Sequence, residues 1–521
     1  MDVANFISRY GNYYGDRTAV VFGDKRTSFR EMSRRVNQLA NALLDLGVKS
    51  DDRVALLANN CPQFIEVFFA RYELGVTEVT LNTKLSPEEW ARQLNEAEVN
   101  TLFVGEDLVE KISSIRPRLG RIKHFIAFSG TPPDMMDYET LILSASPRPP
   151  GVDVDVGQEK LQRILYTGGT TGVPKGIMLS RAADLAQLRN VLVDLIPDLN
   201  PNDVFLGLQP FYHAIRPFFF PCWMRGTRHV IVSDFHPEAA FHEIENEKVS
   251  VIKTVPTVLV RLLSDPRVRD RDLRSVRTIL YGGSPMPVEK LKEGIDFFGP
   301  IFVQNYGQSE SAMTVCFLGK SDHLIKGDPK NVARLASVGR PYSWVEVKLV
   351  DEKGEEVPPG EPGELAVRGD HNMMGYLNNP DETRKTLKDG WVHTRDIGRI
   401  DEEGYVFLVD RKGDMIISGG ENVYPGEVEQ VLYGHPAVME ACVFGIPDEK
   451  WGESVTAAVA PKPGMNVTEE ELIAYCKQRL ARYKSPQKIS FFDSLPKSAM
   501  GKILRRELRA PYWKGRERAI H

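Results

Sequence analysis

Cysteine is scarce and scattered in this chain. Five residues (Cys61, Cys222, Cys316, Cys442 and Cys476) are isolated and odd in number. That pattern excludes a disulfide framework and a cysteine-based zinc site, and it fits a reducing, cytoplasmic setting. Ten histidines include no His-Glu-x-x-His pair; the run beginning at His242 lacks the second histidine. No apolar run reaches the length of a membrane span, and the richest, "RPFFFPCWM", is short and broken by Pro217 and Pro221. The opening "MDVANFISRYGNYYGD" has no basic segment followed by an apolar one, so it does not read as a secretory signal. Excess positive charge is also missing. A net charge of -5 argues against a general nucleic-acid or anionic-membrane binder. What remains, 42% hydrophobic and 26% charged over 521 residues, is ordinary for a globular enzyme too long for one core.

Helix and strand signals alternate along the first part of the chain. "TAVVFG" reads as a strand. Phe29, Met32, Val36, Leu39, Leu43 and Leu46 recur every three or four residues, which places them on one helix face. Ser28 and Glu31 have capping-box spacing at its start, and Gly47 is a plausible stop. Ser86-Pro87-Glu88-Glu89 repeats the pattern with proline at the first helical position. "RVALLA" reads as a buried strand. This alternation predicts an α/β fold with layered, largely parallel sheets. From about Val338 short alternating strands split by Gly/Pro turns predict a small β section. The last hundred or so residues, with a capped helix expected from Thr468 to about Leu480, predict a compact α+β domain.

The stretch "YTGGTTGVPKG" (166–176) follows an apolar strand, "LQRILY". Glycines let the backbone approach a ligand, threonine hydroxyls add donors, and successive N–H groups can form an anion nest. Thr167, Gly168, Gly169, Thr170, Thr171 and Lys175 therefore suit phosphate contacts. The P-loop pattern is absent, because Gly176 and not a hydroxyl residue follows Lys175. Read alone, the segment is either a phosphate nest or a flexible surface loop.

Several further motifs occur in order: "LYGGSPMP", "NYGQSE", "ASVGRP", "GELAVRG", "GYLNNPDET", "DGWVHTRDIG", "GYVFLVDRKGDMIISGGENVYPGEVE" and "LPKSAMGKILRREL". With the glycine-rich loop they resemble, over nearly the whole chain, the adenylate-forming superfamily of acyl-CoA synthetases, adenylation domains and luciferases. The resemblance implies a large N-terminal AMP-binding domain (1–410), a hinge (411–413) and a small mobile C-terminal domain (414–521). It implies an acyl-CoA ligase that uses ATP, Mg²⁺ and coenzyme A to activate a carboxylic acid, fatty or aryl. The alternatives are an acyl-AMP ligase that loads a carrier protein, or an inactive nucleotide-binding homologue. A homodimer is an open expectation; nucleic-acid and integral membrane partners are not expected.

By the same resemblance, Lys502 contacts the carboxylate and α-phosphate during adenylation, and Glu310 is the Mg²⁺-associated carboxylate. Gly283, Ser284, Asn305, Tyr306, Gly307 and Ser309 form the adenine pocket and the motif after it, with Ser309 in place of the usual threonine. Asp396 and Arg411 hold the ribose. Gly413 takes the hinge position, where aspartate or lysine is usual. Gly419, Gly420 and Glu421 lie in the loop that meets pantetheine, and Arg479, Arg482, Lys484 and Lys488 are either a CoA phosphate cluster or a solvated face. His213 matches the gating position at the acid pocket; from the residues alone it is equally a packed core histidine. Arg395 replaces the family's glycine and is expected to point to solvent. Phe218, Phe219, Phe220 and Trp223 suggest an apolar acid or simply core packing. Arg216, odd among them, is expected to snorkel to the surface. No aspartate opens this region, which argues against an amino-acid substrate.

Overall fold

The computed structural model describes residues 6–130, 132, 134–152, 157–167, 174–325, 329–411, 414–419, 421–448, 451–498 and 501–514. The elements begin where the local chemistry predicts. The helix Phe29–Asp45 is capped by the Ser28 hydroxyl, which accepts from Glu31 N at 3.1 Å. The reciprocal half of the expected capping box is missing, because the Glu31 carboxylate turns to Arg34, 2.7 Å away. At Pro87–Glu96 the box is complete: Ser86 caps Glu89 N, and Glu89 reaches back to Ser86 N at 2.9 Å. The C-terminal helix is shorter than expected, Glu469–Lys477, with Thr468 as its cap.

Among the described residues the strands form four sheets. One nine-stranded sheet has a parallel centre: Arg228–Ile231, Val204–Gly207, Val251–Thr254, Thr278–Gly282 and Phe302–Tyr306 lie side by side in that order. An eight-stranded sheet carries Arg53–Leu57, Thr77–Thr80, Thr101–Val104 and Leu161–Thr167 in parallel register. Helices cover both, and a continuous apolar core spans residues from both sheets, including Val54, Leu56, Phe103, Phe205, Val251, Leu280 and Val303. Fully buried parallel strands explain the near-continuous apolar runs in the sequence. A five-stranded antiparallel sheet follows, ending in the hairpin of Trp391–Ile400 with Val406–Arg411. The last sheet, with Val438–Asp448 and Gly452–Pro461 at its centre, packs the helix Pro425–Tyr433 over its own core. The α/β reading and the small α+β terminal unit are thus both present. No helix among the described residues is long and apolar enough to cross a membrane.

Candidate active site

The glycine-rich loop joins two antiparallel strands, Leu161–Thr167 and Lys175–Ser180, with Thr167 opposite Lys175. The strands on either side of it pair as a hairpin. Gly168, Gly169, Thr170 and Thr171 lie outside the described residues, as do Gly413, Gly420 and the side chains of Thr167 and Arg411. Lys175, at the loop's far end, is described. Its ammonium sits 2.8 Å from Glu382 and 5.3 Å from the centre of the Tyr376 ring. The Tyr376 hydroxyl donates to Glu310 Oε1 at 2.9 Å, so one aromatic side chain links the loop lysine to the expected metal carboxylate. Hydrogen bonding from Lys175 holds the Glu382 carboxyl below the usual range. Arg395, with φ at +62°, is 43% exposed, as the solvent-facing expectation has it, and its guanidinium also pairs with the same Glu382. Glu382 and Tyr376 both stand in "GYLNNPDET", but nothing in that run alone says which residues turn inward.

A second cluster is built on strand ends. Asp396, 5% exposed, accepts from the Tyr306 hydroxyl at 2.6 Å and from Gln308 Nε2 at 2.8 Å. It lies opposite Arg411 in the strand register. Gln308 also donates to Thr394 O at 2.7 Å, which fixes the turn after Tyr306. Gly307 is needed there, because a Cβ would stand 2.3 Å from the Met313 carbonyl carbon. Asn305 is committed to the protein: its amide donates to Met313 O at 3.0 Å and its oxygen accepts from Tyr342 at 2.6 Å. Ser309 is buried and opens a short turn with Glu310. Gly283 takes φ +87°, a conformation that disfavours other residues, with Ser284 beside it.

The C-terminal unit brings Lys502 to this edge. A Cβ placed on Gly283 would lie 4.0 Å from Lys502 Cε and 3.8 Å from Val255 Cγ1. Thr257 donates to Gly501 O at 2.9 Å, and Gln430 accepts from Val288 N at 3.2 Å. Elsewhere along this interface two lysines face each other. Burial first, then the Lys290 charge, pushes the Lys462 pKa down.

His213 sits in the wide helical turn Phe211–Ile215 that follows the strand Val204–Gly207. Burial first, then Lys502, Arg216 and Lys253, push its pKa down to about 3, so the imidazole is neutral at physiological pH. Its Nδ1 is buried with no hydrogen-bond partner. The aromatic residues after it resolve as core. Phe219 packs 5.2 Å from Phe68, Phe220 4.7 Å from Tyr72, and Trp223 4.7 Å from Phe29. Arg216 does not snorkel. It is 2% exposed and bonded at 2.9 Å to the buried Glu78, which also pairs with Arg71 at 2.6 Å. A buried carboxylate stood within reach, and sequence offered no sign of it.

On the C-terminal side, Gly419 takes φ +64° and donates to Trp451 O at 2.8 Å, and Glu421 opens the strand Glu421–Val423. The expected basic cluster is partly engaged. Lys484 pairs with Glu427 at 2.7 Å, and the Arg479 guanidinium lies 3.6 Å from the centre of the Tyr475 ring.

The chain is similar to known proteins over most of its length. The "AMP-binding enzyme" family model matches residues 7–377, and the "AMP-binding enzyme C-terminal domain" model matches 427–502. The chain is 36% identical to a medium/long-chain-fatty-acid–CoA ligase of Mycobacterium tuberculosis, over 97% of this chain and 89% of that protein. It is 37% identical to a feruloyl-CoA synthase of an Amycolatopsis species, over 94% and 95% of the two chains. The crystal structure of the anthranilate CoA ligase AuaEII in complex with anthranoyl-AMP superposes with a TM-score of 0.89 at 27% identity, covering 98% of this chain and 97% of the other. On its two matched domains and its full-length relatives, this chain belongs to the AMP-binding enzyme family.

Proposed function

We propose that this protein is an ATP-dependent acid–thiol ligase: it converts a carboxylic acid to its acyl-adenylate with release of pyrophosphate, then transfers the acyl group to coenzyme A and releases AMP. The observation that carries this reading is the meeting of Lys502, from the C-terminal unit, with Gly283 and the neighbourhood of His213.

A carboxylate is a poor electrophile, since its charge repels nucleophiles and oxide is a poor leaving group. Its oxygen attacks the α-phosphate of ATP, the α/β bridging bond breaks, and pyrophosphate leaves. Preorganised cations are therefore the chief need. Lys502 takes the carboxylate–α-phosphate side, while the hairpin loop and Lys175 take the pyrophosphate side. Neutral His213 adds no charge that would bind the acid too tightly in its ground state. Tyr306 faces the base, and Asp396 with Arg411 takes the ribose hydroxyls. Glu310 is assigned to Mg²⁺, which is held through one or two carboxylates together with substrate phosphates. When bound, the ion neutralises phosphate charge. The second step needs a thiol at the acyl carbon, for which we assign the loop at Gly419, Gly420 and Glu421. The domain boundary is placed at 411–413, with Gly413 as the hinge. It is supported by the pairing of Val406–Arg411 with the preceding sheet and of Ser418 with Gly452 in the following one.

Pyrophosphate release is to be measured over a panel of carboxylic acids, with and without coenzyme A, alongside thioester by mass spectrometry. Acid-dependent release with thioester only when coenzyme A is present is the expected result. No release with any acid rejects the ligase reading, and release without thioester moves the acceptor to a carrier protein. Asp396→Asn is expected to raise the KM for ATP by roughly 10- to 100-fold, the worth of a charged hydrogen bond, with a smaller change in kcat. An ATP saturation curve checks it.

A further inference from the structure

One buried cation in the central sheet has no role in the scheme above. Lys253 lies in the strand Val251–Thr254, flanked by Gly207 on one side and Leu280 on the other. It is 4% exposed. Alternation along the strand puts it on the face of Val251, which joins the core shared with the second sheet, whereas Ile252 belongs to the opposite core. Its ammonium donates to Thr254 O at 3.2 Å. Among the described residues no carboxylate lies within ion-pair distance of it. An ammonium has three donors, and burying one without an anion is costly. Burial alone pushes its pKa down to about 8.

Its place in the sheet gives this cation a meaning. Val255, two residues on, reaches the Lys502 edge: its Cγ1 is 3.8 Å from a Cβ on Gly283, and its Cγ2 is 3.4 Å from a Cβ on Gly501. Lys253 is thus one pleat deeper than the point where the acid's carboxylate reacts, roughly 7 Å at two residues of strand. His213 registers both lysines, together with Arg216. Arg216 is neutralised by Glu78; Lys253 is not. Gly207, the neighbour of Lys253, already has the Ile215 side chain over it, 2.6 Å from where its Cβ would stand. The small residue lets the turn that carries His213 close over this part of the sheet.

We propose that Lys253 is a specificity-determining residue that reads the far end of the acid: the substrate carries a hydrogen-bond-accepting oxygen, phenolic or carboxylate, roughly 7 Å from the carboxylate that is adenylated. This rests on the ligase reading given above. An acceptor there completes the donors of Lys253, whereas a purely apolar acid leaves a buried ammonium unmatched. A site built to hydrogen-bond a polar group rejects analogues that lack it far more strongly than an apolar pocket rejects a methylene.

The test compares matched acids: para-hydroxybenzoate with benzoate, and adipate with hexanoate. Wild type should prefer at least one acceptor-bearing member over its counterpart by about 100-fold in kcat/KM for pyrophosphate release. Preference in the aryl pair assigns a phenolic oxygen, and preference in the aliphatic pair a second carboxylate. In Lys253→Met that preference should fall about 30-fold or more, through KM, while the apolar member is used as well as before or better. Lys253→Arg should retain part of it. Equal use of both members of each pair by wild type overturns the proposal, as does an equal loss for both in Lys253→Met. Should Lys253→Met fail to melt as a folded protein, the wild-type comparison and Lys253→Arg decide. Calorimetric titration of the same four acids runs beside the assay. If no acid supports pyrophosphate release but titration shows the acceptor preference, the ligase reading falls and the Lys253 site stands. If titration shows no preference, the site falls.

Discussion

Lys502→Ala is expected to lose roughly 10²- to 10³-fold in acyl-adenylate formation while still making thioester from preformed acyl-adenylate. The loss follows from where the side chain sits. Ser498 N donates to Lys502 O at 2.8 Å, and Lys502 N donates to Ser498 Oγ at 3.2 Å. Lys497 and Ile503 pair across the same turn. The turn is pinned to the large domain by Thr257 on Gly501 O, so the ammonium is delivered beside Gly283 with little freedom left to lose. Charge develops on phosphate oxygens only as the α/β bond breaks. A fixed cation then stabilises the transition state more than the bound acid. Lys502→Arg should recover little, since the broader planar guanidinium does not replace a compact ammonium in a site this close to a glycine. Quenched-flow measurement of adenylate with coenzyme A omitted, against thioester formation from synthetic acyl-adenylate, separates the steps. Equal losses in both would remove Lys502 from its assigned half-reaction.

Glu78→Gln should destabilise the fold by about 3–5 kcal/mol and lower the melting temperature by roughly 3–6 °C. Arg71, Glu78 and Arg216 have side chains 0%, 0% and 1% exposed. One carboxylate oxygen serves both guanidinia, at 2.6 and 2.9 Å. Without its charge two buried cations lose their shared carboxylate, and nearby Asp184 is already bound to Arg163. The double variant Glu78→Gln/Arg216→Met should lose less than the sum of its single changes, because it removes one stranded cation. The pH dependence has a definite sign. Burial raises the Glu78 pKa, but Arg216, Arg71 and Arg163 together outweigh it, and the folded-state value lies below the ordinary carboxylate value of 4.5. This group therefore contributes stability above the unfolded-state pKa, and the contribution is lost as pH falls through the folded one. Melting curves from neutral to acidic pH should steepen in their decline for wild type and flatten for Glu78→Gln.

The parts of the molecule that were legible from sequence are those specified within a few residues. Caps at Ser28, Ser86 and Thr468 are local events, and so are the apolar strands of the parallel sheets. The ordered motifs also carried the family. What stayed hidden was pairing at long range. Arg216 and Glu78 are 138 positions apart, and an arginine among aromatics looks the same whether it meets water or a buried carboxylate. The pairing of Arg395 with Glu382 is hidden for the same reason, since Glu382 sits in a helix whose inward face no local pattern reveals. Lys253 gave a weak signal: one lysine inside "VIKTVP". Only a strand paired on both sides turns that lysine from a surface residue into a buried one.

Thr257 stands 244 positions before Gly501 in the chain, yet its hydroxyl holds the turn that carries Lys502, a bond worth about 1 kcal/mol. A residue in the large domain that touches no substrate thus shares in aiming the lysine, and a change at Thr257 is felt at the adenylation edge without altering any charge there.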